Sequence, residues 1–152
     1  MRKIISVIVK NEDGVLARVV NLFAGRGYNI DTLTVAPVPN SKFSRMTIAT
    51  HGNPKVFEQI AKQLNKLLPV LKVIESDNFV EKEMVMVKLP IDRLSDVDVL
   101  AKSYNGEITN VGKDYVVVFA VDTIERIGHF LEAISNYKPI EMVRSGVSVI
   151  ER

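Results

Sequence analysis

Ile4-Ile-Ser-Val-Ile-Val-Lys10, Asn11-Glu-Asp-Gly14, Val15-Leu-Ala-Arg-Val-Val-Asn-Leu-Phe-Ala-Gly25 and Arg26-Gly-Tyr-Asn-Ile30 follow one another without a break. The first piece is apolar and rich in β-branched residues, with the length of a strand buried on at least one face. The second is an acidic turn that ends in glycine. In the third, Leu16, Val19, Val20 and Phe23 fall at i, i+3, i+4 and i+7, the spacing of one helical face. Asp13 is the expected N-cap of this helix. Gly25 and Gly27 are expected to end it, because glycine accepts the left-handed conformation of a C-terminal cap. Strand, turn, helix and turn together open a βα unit.

The pattern continues downstream. Residues 30–35 alternate as a second strand, stopped by Pro37 and Pro39, and residues 45–50 alternate as a third. His51-Gly-Asn-Pro54 is a turn into a helix whose Val56, Ile60, Leu64 and Leu67 share a face. Pro69 ends that face, and residues 70–74 form a fourth strand. The order is β-α-β-β-α-β, the split βαβ or ferredoxin-like unit: one four-stranded antiparallel sheet with two helices on one face.

Glu75-Ser-Asp-Asn78 is polar and marks the expected domain boundary, giving domains 1–76 and 77–152. The same order then recurs. Residues 83–89 read as a strand, and Val97, Leu100, Ala101 and Tyr104 as a helical stripe broken by Asn105-Gly106. Residues 107–111 and 115–121 read as a hairpin around Gly112-Lys-Asp114. Ile124, Ile127, Leu131 and Ile134 make a second helical face. A final strand covers 140–143, and 147–150 extends it past Arg144-Ser-Gly146. The expected fold class is therefore α+β, two tandem ferredoxin-like βαββαβ domains.

Composition narrows the function. The chain has 152 residues, 47% of them hydrophobic, and a formal charge of +2 with no basic block. That is ample for packed cores and gives no electrostatic case for nucleic acid. There is no cysteine, hence no disulfide framework and no thiolate metal site. No run reaches the ~18 apolar residues of a membrane span, and the N-terminus is no signal peptide, so a cytoplasmic protein is expected. His51 and His129, the two histidines, lack metal-ligand spacing and are expected at or near the surface. No nucleophile, base and oxyanion donor come together, and no glycine-rich dinucleotide loop is present. No catalytic and no metal-binding residue is expected.

One stretch does offer binding chemistry. The start of the first helix presents backbone N–H groups at the positive end of its dipole. Gly14 has no side chain, so a small anion can approach that backbone closely. Asn11 and Asn29 stand at the two turns flanking the helix. Read together, these residues suggest an amino-acid pocket. The same turn also suits an ordinary strand-to-helix connection. Asn29 can hold an ammonium or a carboxylate through its amide, or simply shape its turn. The second repeat has Pro90-Ile-Asp-Arg-Leu-Ser95 at the matching position, without glycine. A site of this type therefore belongs to the N-terminal half.

Asn11-Glu-Asp-Gly-Val-Leu-Ala-Arg-Val19, Leu22-Phe23, Arg26-Gly-Tyr-Asn-Ile30, Leu33-Thr-Val-Ala-Pro37 and Ser44-Arg-Met-Thr-Ile48 closely resemble the regulatory small subunit of acetolactate synthase (acetohydroxyacid synthase). The N-terminal half resembles its ACT domain. The C-terminal half, with Val143-Arg-Ser-Gly146, resembles its second, ACT-like domain. The resemblance implies a subunit without chemistry or cofactor of its own. It implies a catalytic (large) subunit as partner, using thiamine diphosphate, FAD and Mg²⁺, which the small subunit activates and makes sensitive to feedback inhibition by valine. It implies a homodimer through the ACT domains, with the effector at the interface. Asn11, Gly14, Val15 and Leu16 would belong to the loop side, and Asn29 and Ile30 to the facing side of the partner copy. A free-standing amino-acid-sensing ACT module acting on another enzyme is the alternative, since ACT units serve many hosts.

Overall fold

The computed structural model describes residues 1–152. Two compact units divide between Val80 and Glu81, and the last residues, Val149–Arg152, group with the first unit. There the amide of Arg152 donates to the carbonyl of Asn78 at 3.2 Å.

The first unit runs β1 (Arg2–Lys10), α1 (Val15–Gly25), β2 (Thr32–Pro37), β3 (Phe43–His51), α2 (Pro54–Asn65) and β4 (Val70–Glu75). Its sheet has the order β2-β3-β1-β4, and every pairing is antiparallel. Strand periodicity puts Ile5, Val7 and Val9 of β1 on one face with Met46 and Ile48 of β3. Val15, Val19 and Phe23 of α1 and Phe57, Ile60 and Leu64 of α2 close over them. Phe23 is 1% exposed; burial of such a side chain contributes about 1.5–3 kcal/mol.

The two ends of α1 differ in chemistry. At the N-terminus the cap is Gly14, at φ 81°, with no side-chain hydrogen bond. Asp13 does not cap the helix as expected: the chain enters through a left-handed residue, and Gly14 takes that position because it has no Cβ to clash. At the C-terminus Gly27 has φ 69°. The Tyr28 amide donates to Phe23 O at 2.9 Å and the Gly27 amide to Ala24 O at 3.3 Å, the paired bonds of a Schellman cap. The Phe23 and Tyr28 rings meet edge to face, 6.2 Å apart, and fix the direction in which Asn29 leaves the helix. For α2, the Asn53 side chain accepts from the Val56 amide at 2.9 Å, ahead of Pro54.

The second unit repeats the plan with β5 (Phe79–Pro90), α3 (Leu94–Ser103), β6 (Gly106–Val111), β7 (Tyr115–Asp122), α4 (Ile124–Ile134) and β8 (Glu141–Glu151). The sheet order is β6-β7-β5-β8. Val85, Val87 and Leu89 of β5, with Val116, Val118 and Ala120 of β7, pack under Val97 and Ala101 of α3 and Ile127, Phe130 and Ile134 of α4. A 3₁₀ turn over Ile91–Arg93 leads into α3 where the first unit has its glycine turn. Gly106 is required at the start of β6: a Cβ there would lie 2.0 Å from the carbonyl oxygen of Phe119. The last two expected strand pieces are one continuous strand, β8, which absorbs Gly146 at φ 81°.

Candidate functional site

The turn between β1 and α1 is held at the sheet end. The Asn11 amide donates to Lys42 O at 2.9 Å, and Glu12 N to Lys10 O at 3.0 Å. The first intrahelical bond, from Arg18 N to Gly14 O, leaves the amides of Leu16 and Ala17 without a backbone partner. No residue nearby fills the space above Gly14: a Cβ there meets nothing within 4 Å. The helix start therefore has two amides free of backbone partners beside an open approach at Gly14. Of the loop-side residues, Asn11, Gly14 and Leu16 are exposed, but Val15 is 4% exposed and its side chain belongs to the core. A groove of about 520 Å³ beside Asn11 is lined by Lys10, Glu12, Ser41, Lys42 and Phe43. The β2–β3 loop residues in it were not legible in the sequence.

Asn29 and Ile30 lie at the other end of the sheet. In the β1–β3 register Lys10 faces Phe43 and Arg2 faces His51, so the nine-residue strand β1 separates the two ends by roughly 27 Å. Within one chain, no single amino acid can touch both Gly14 and Asn29.

The Asn29 end is a built corner. Thr50, fully buried, donates through its hydroxyl to the Asn29 carbonyl. The Asn29 amide nitrogen is 3.1 Å from Nε2 of His51. Nδ1 of His51 lies 2.8 and 3.0 Å from the two carboxylate oxygens of Asp31. Ile30 packs against the core beneath. His51 is at the surface as expected, but it is not idle. Its partners are invisible in linear spacing. They follow from the β2–β3 register, which pairs Thr32 with Ala49; continued by two residues, it sets His51 opposite Ile30, between Asn29 and Asp31.

The second unit has a polar cluster of its own at the end of its third strand. Asn105 immediately precedes β6, and Asp122 ends β7 on the sheet face that the helices cover. The Asn105 amide nitrogen donates to Asp122 at 3.0 Å, and Arg126 from α4 donates to the same oxygen at 2.6 Å. Asp122 is 3% exposed. Burial works to raise its pKa, but the bonds from Arg126, the Thr123 amide and Asn105 outweigh it and hold the carboxyl below its ordinary value. Because the folded pKa lies below the unfolded one, the stabilisation from Asp122 is complete above about pH 4 and is lost as the pH falls through the folded value. Asp122→Asn is expected to cost about 1.5–3 kcal/mol at pH 7. Urea unfolding should show that difference from wild type shrinking steadily as the pH is taken below about 4. A difference that stays constant down to low pH would contradict the assignment.

The model of the AHAS small subunit-like ACT domain family matches residues 5–72, and that of the family described as small subunit of acetolactate synthase matches residues 82–152. The acetolactate synthase small subunit of Buchnera aphidicola (subsp. Schizaphis graminum) is 41% identical, over 100% of this chain and 99% of its own length. The chain belongs to the acetolactate synthase small-subunit family. The isozyme 3 small subunit of Escherichia coli is likewise 41% identical, over 100% of this chain and 96% of its own. The crystal structure of the acetolactate synthase small subunit from Thermotoga maritima superimposes with a TM-score of 0.91 at 30% identity, covering 100% of this chain and 98% of that one. The tandem ferredoxin-like fold is that of the family.

For a small-subunit chain, the segment Val143-Arg-Ser-Gly146 has a clear local task. Arg144 donates from Nε and Nη2 to the two carboxylate oxygens of Glu83, at 2.8 and 2.9 Å. Glu83 is 1% exposed and stands opposite Asp122 in the β5–β7 register. Two buried carboxylates side by side repel each other, so each needs its own arginine. The Ser145 hydroxyl accepts from the Met84 amide at 3.0 Å. The segment fastens β8 to β5. No helix is long and apolar enough to cross a membrane, and no group of three or more His, Cys, Asp or Glu side chains is placed to hold a metal ion.

Proposed function

We propose that this chain is the regulatory subunit of acetolactate synthase: it joins the catalytic subunit, raises its activity, and makes it subject to feedback inhibition by valine. Full-length membership of the small-subunit family supports the partner. The cofactors of the reaction, thiamine diphosphate, FAD and Mg²⁺, belong to that partner.

The observation that carries the effector site is the open helix start at Gly14, where the Leu16 and Ala17 amides lack partners. A carboxylate suits those amides. The polar end at Asn29 is roughly a strand length away. A second copy related by a two-fold axis across α1 would bring its Asn29 beside this Gly14, and the reverse, since an isologous interface repeats each contact twice. The reading is therefore a homodimer of the N-terminal units with two equivalent valine sites. Asn11, Gly14 and Leu16 come from one copy, with Val15 contributing only backbone, and Asn29 and Ile30 come from the other.

The test is acetolactate formation by the catalytic partner, with and without this chain, across a valine titration. Activation by the chain and inhibition that appears only in its presence are expected. Sedimentation of the chain at micromolar concentration with valine should give at least a dimer. A strict monomer, or a partner whose activity and valine response ignore the chain, would defeat the proposal. In the second case, a chain that still binds an amino acid would be a sensing module for another enzyme.

A further inference from the structure

We propose that His51 is a positioning residue which decides the end of the effector that Asn29 receives: it turns the Asn29 amide so that Oδ1 faces outward and takes the ammonium group of the amino acid. The inference rests on the reading above that Asn29 contacts an amino-acid effector, and it settles a point that the residue type alone leaves open.

The ionised carboxylate of Asp31 only accepts hydrogen bonds, and both its oxygens lie within 3.0 Å of His51 Nδ1. A ring with one proton then carries it on Nδ1, toward Asp31, and has its lone pair on Nε2. The Asn29 atom 3.1 Å from Nε2 is the amide nitrogen, a donor suited to that lone pair. The backbone carbonyl of Asn29 is held by the Thr50 hydroxyl, which fixes the main chain from which the side chain reaches His51. With Nδ2 on the ring, Oδ1 is the amide atom turned away from it, on a residue that is exposed. An acceptor so placed fits an ammonium and not a carboxylate. The carboxylate then falls to the helix-start amides, which can only donate.

The test is calorimetric titration of the full chain with valine and with 2-hydroxy-3-methylbutanoate, which keeps the carboxylate and side chain and replaces the ammonium by a hydroxyl. The readout is the ratio of the two dissociation constants, which a general loosening of the site would leave unchanged. For the wild type a preference for valine of at least about tenfold is expected. His51→Gln retains an acceptor for Asn29 and a donor for Asp31, and should keep that ratio. His51→Lys offers donors only, so the Asn29 amide should reverse and the preference collapse toward parity. His51→Ala removes the acceptor without adding charge and should lower the ratio as well, which separates amide orientation from charge repulsion. The exposed position tolerates these side chains, and circular dichroism checks the fold. A ratio within about twofold of wild type in both His51→Lys and His51→Ala would overturn the inference while leaving the effector site intact. A wild-type chain that binds no valine would overturn the effector reading and this assignment with it.

Discussion

Gly14→Asp is expected to raise the valine concentration for half-inhibition of the reconstituted enzyme by at least about tenfold, while the partner is still activated. Two effects add. The new carboxylate stands beside the amides that we assign to the valine carboxylate, so like charges meet. It also occupies the space through which the ligand approaches, which is open in the chain itself. Loss of a hydrogen bond to a charged group is worth about 1.5–3 kcal/mol, and each 1.4 kcal/mol is about tenfold in affinity. The backbone adds a cost of its own. Gly14 has φ 81°, where an L side chain is strained by about 1–2 kcal/mol, though Asp is among the residues that tolerate it. A packed unit with the core described above withstands that loss. Circular dichroism should show native helix content, and the inhibition curve should move. An unshifted curve would place the effector away from this turn.

Arg144→Ala is expected to destabilise the C-terminal unit by about 3 kcal/mol, the lower end of the cost of breaking a buried ion pair. The loss comes from what is left behind. Glu83, 1% exposed in the intact chain, would lose its bidentate partner while still facing Asp122 across the strand pair. The Arg144 side chain is 43% exposed, so water entering the vacated space limits the cost to the low end of the range. For a unit of this size the melting temperature should fall by more than about 10 °C. The paired replacement Glu83→Leu with Arg144→Met removes both charges and should recover most of the loss, because an apolar pair has no desolvation to offset. Thermal unfolding of the full chain measures all three. Equal melting temperatures for Arg144→Ala and wild type would mean that Glu83 is satisfied by another group.

The sequence by itself determined the elements and their order. Stripes such as Val56, Ile60 and Leu64, and alternation such as Ile5, Val7 and Val9, report burial of a face. That signal is local, since each residue's face follows from its own position in the helix or strand. It determined the stop at Gly27 for the same reason: the Schellman cap is closed by residues within one turn. It also singled out Gly14, because the contrast with Pro90-Ile-Asp-Arg-Leu-Ser95 in the second repeat needs no coordinates. Tertiary structure decided the rest. Spacing favoured Asp13 as the cap, but the entry angle from β1 into α1 demands a left-handed residue and puts Gly14 there. Val15 looks like a pocket residue in the motif, yet the rotation of α1 turns it into the core. His51 looks like a turn residue until strand register brings it between Asn29 and Asp31, some twenty positions away in the chain. Glu83 and Arg144 are separated by 61 positions and meet only because β8 returns to pair beside β5. Such contacts depend on which strands pair and in what register. That choice is made by burial of the whole core, not by any short stretch of the chain.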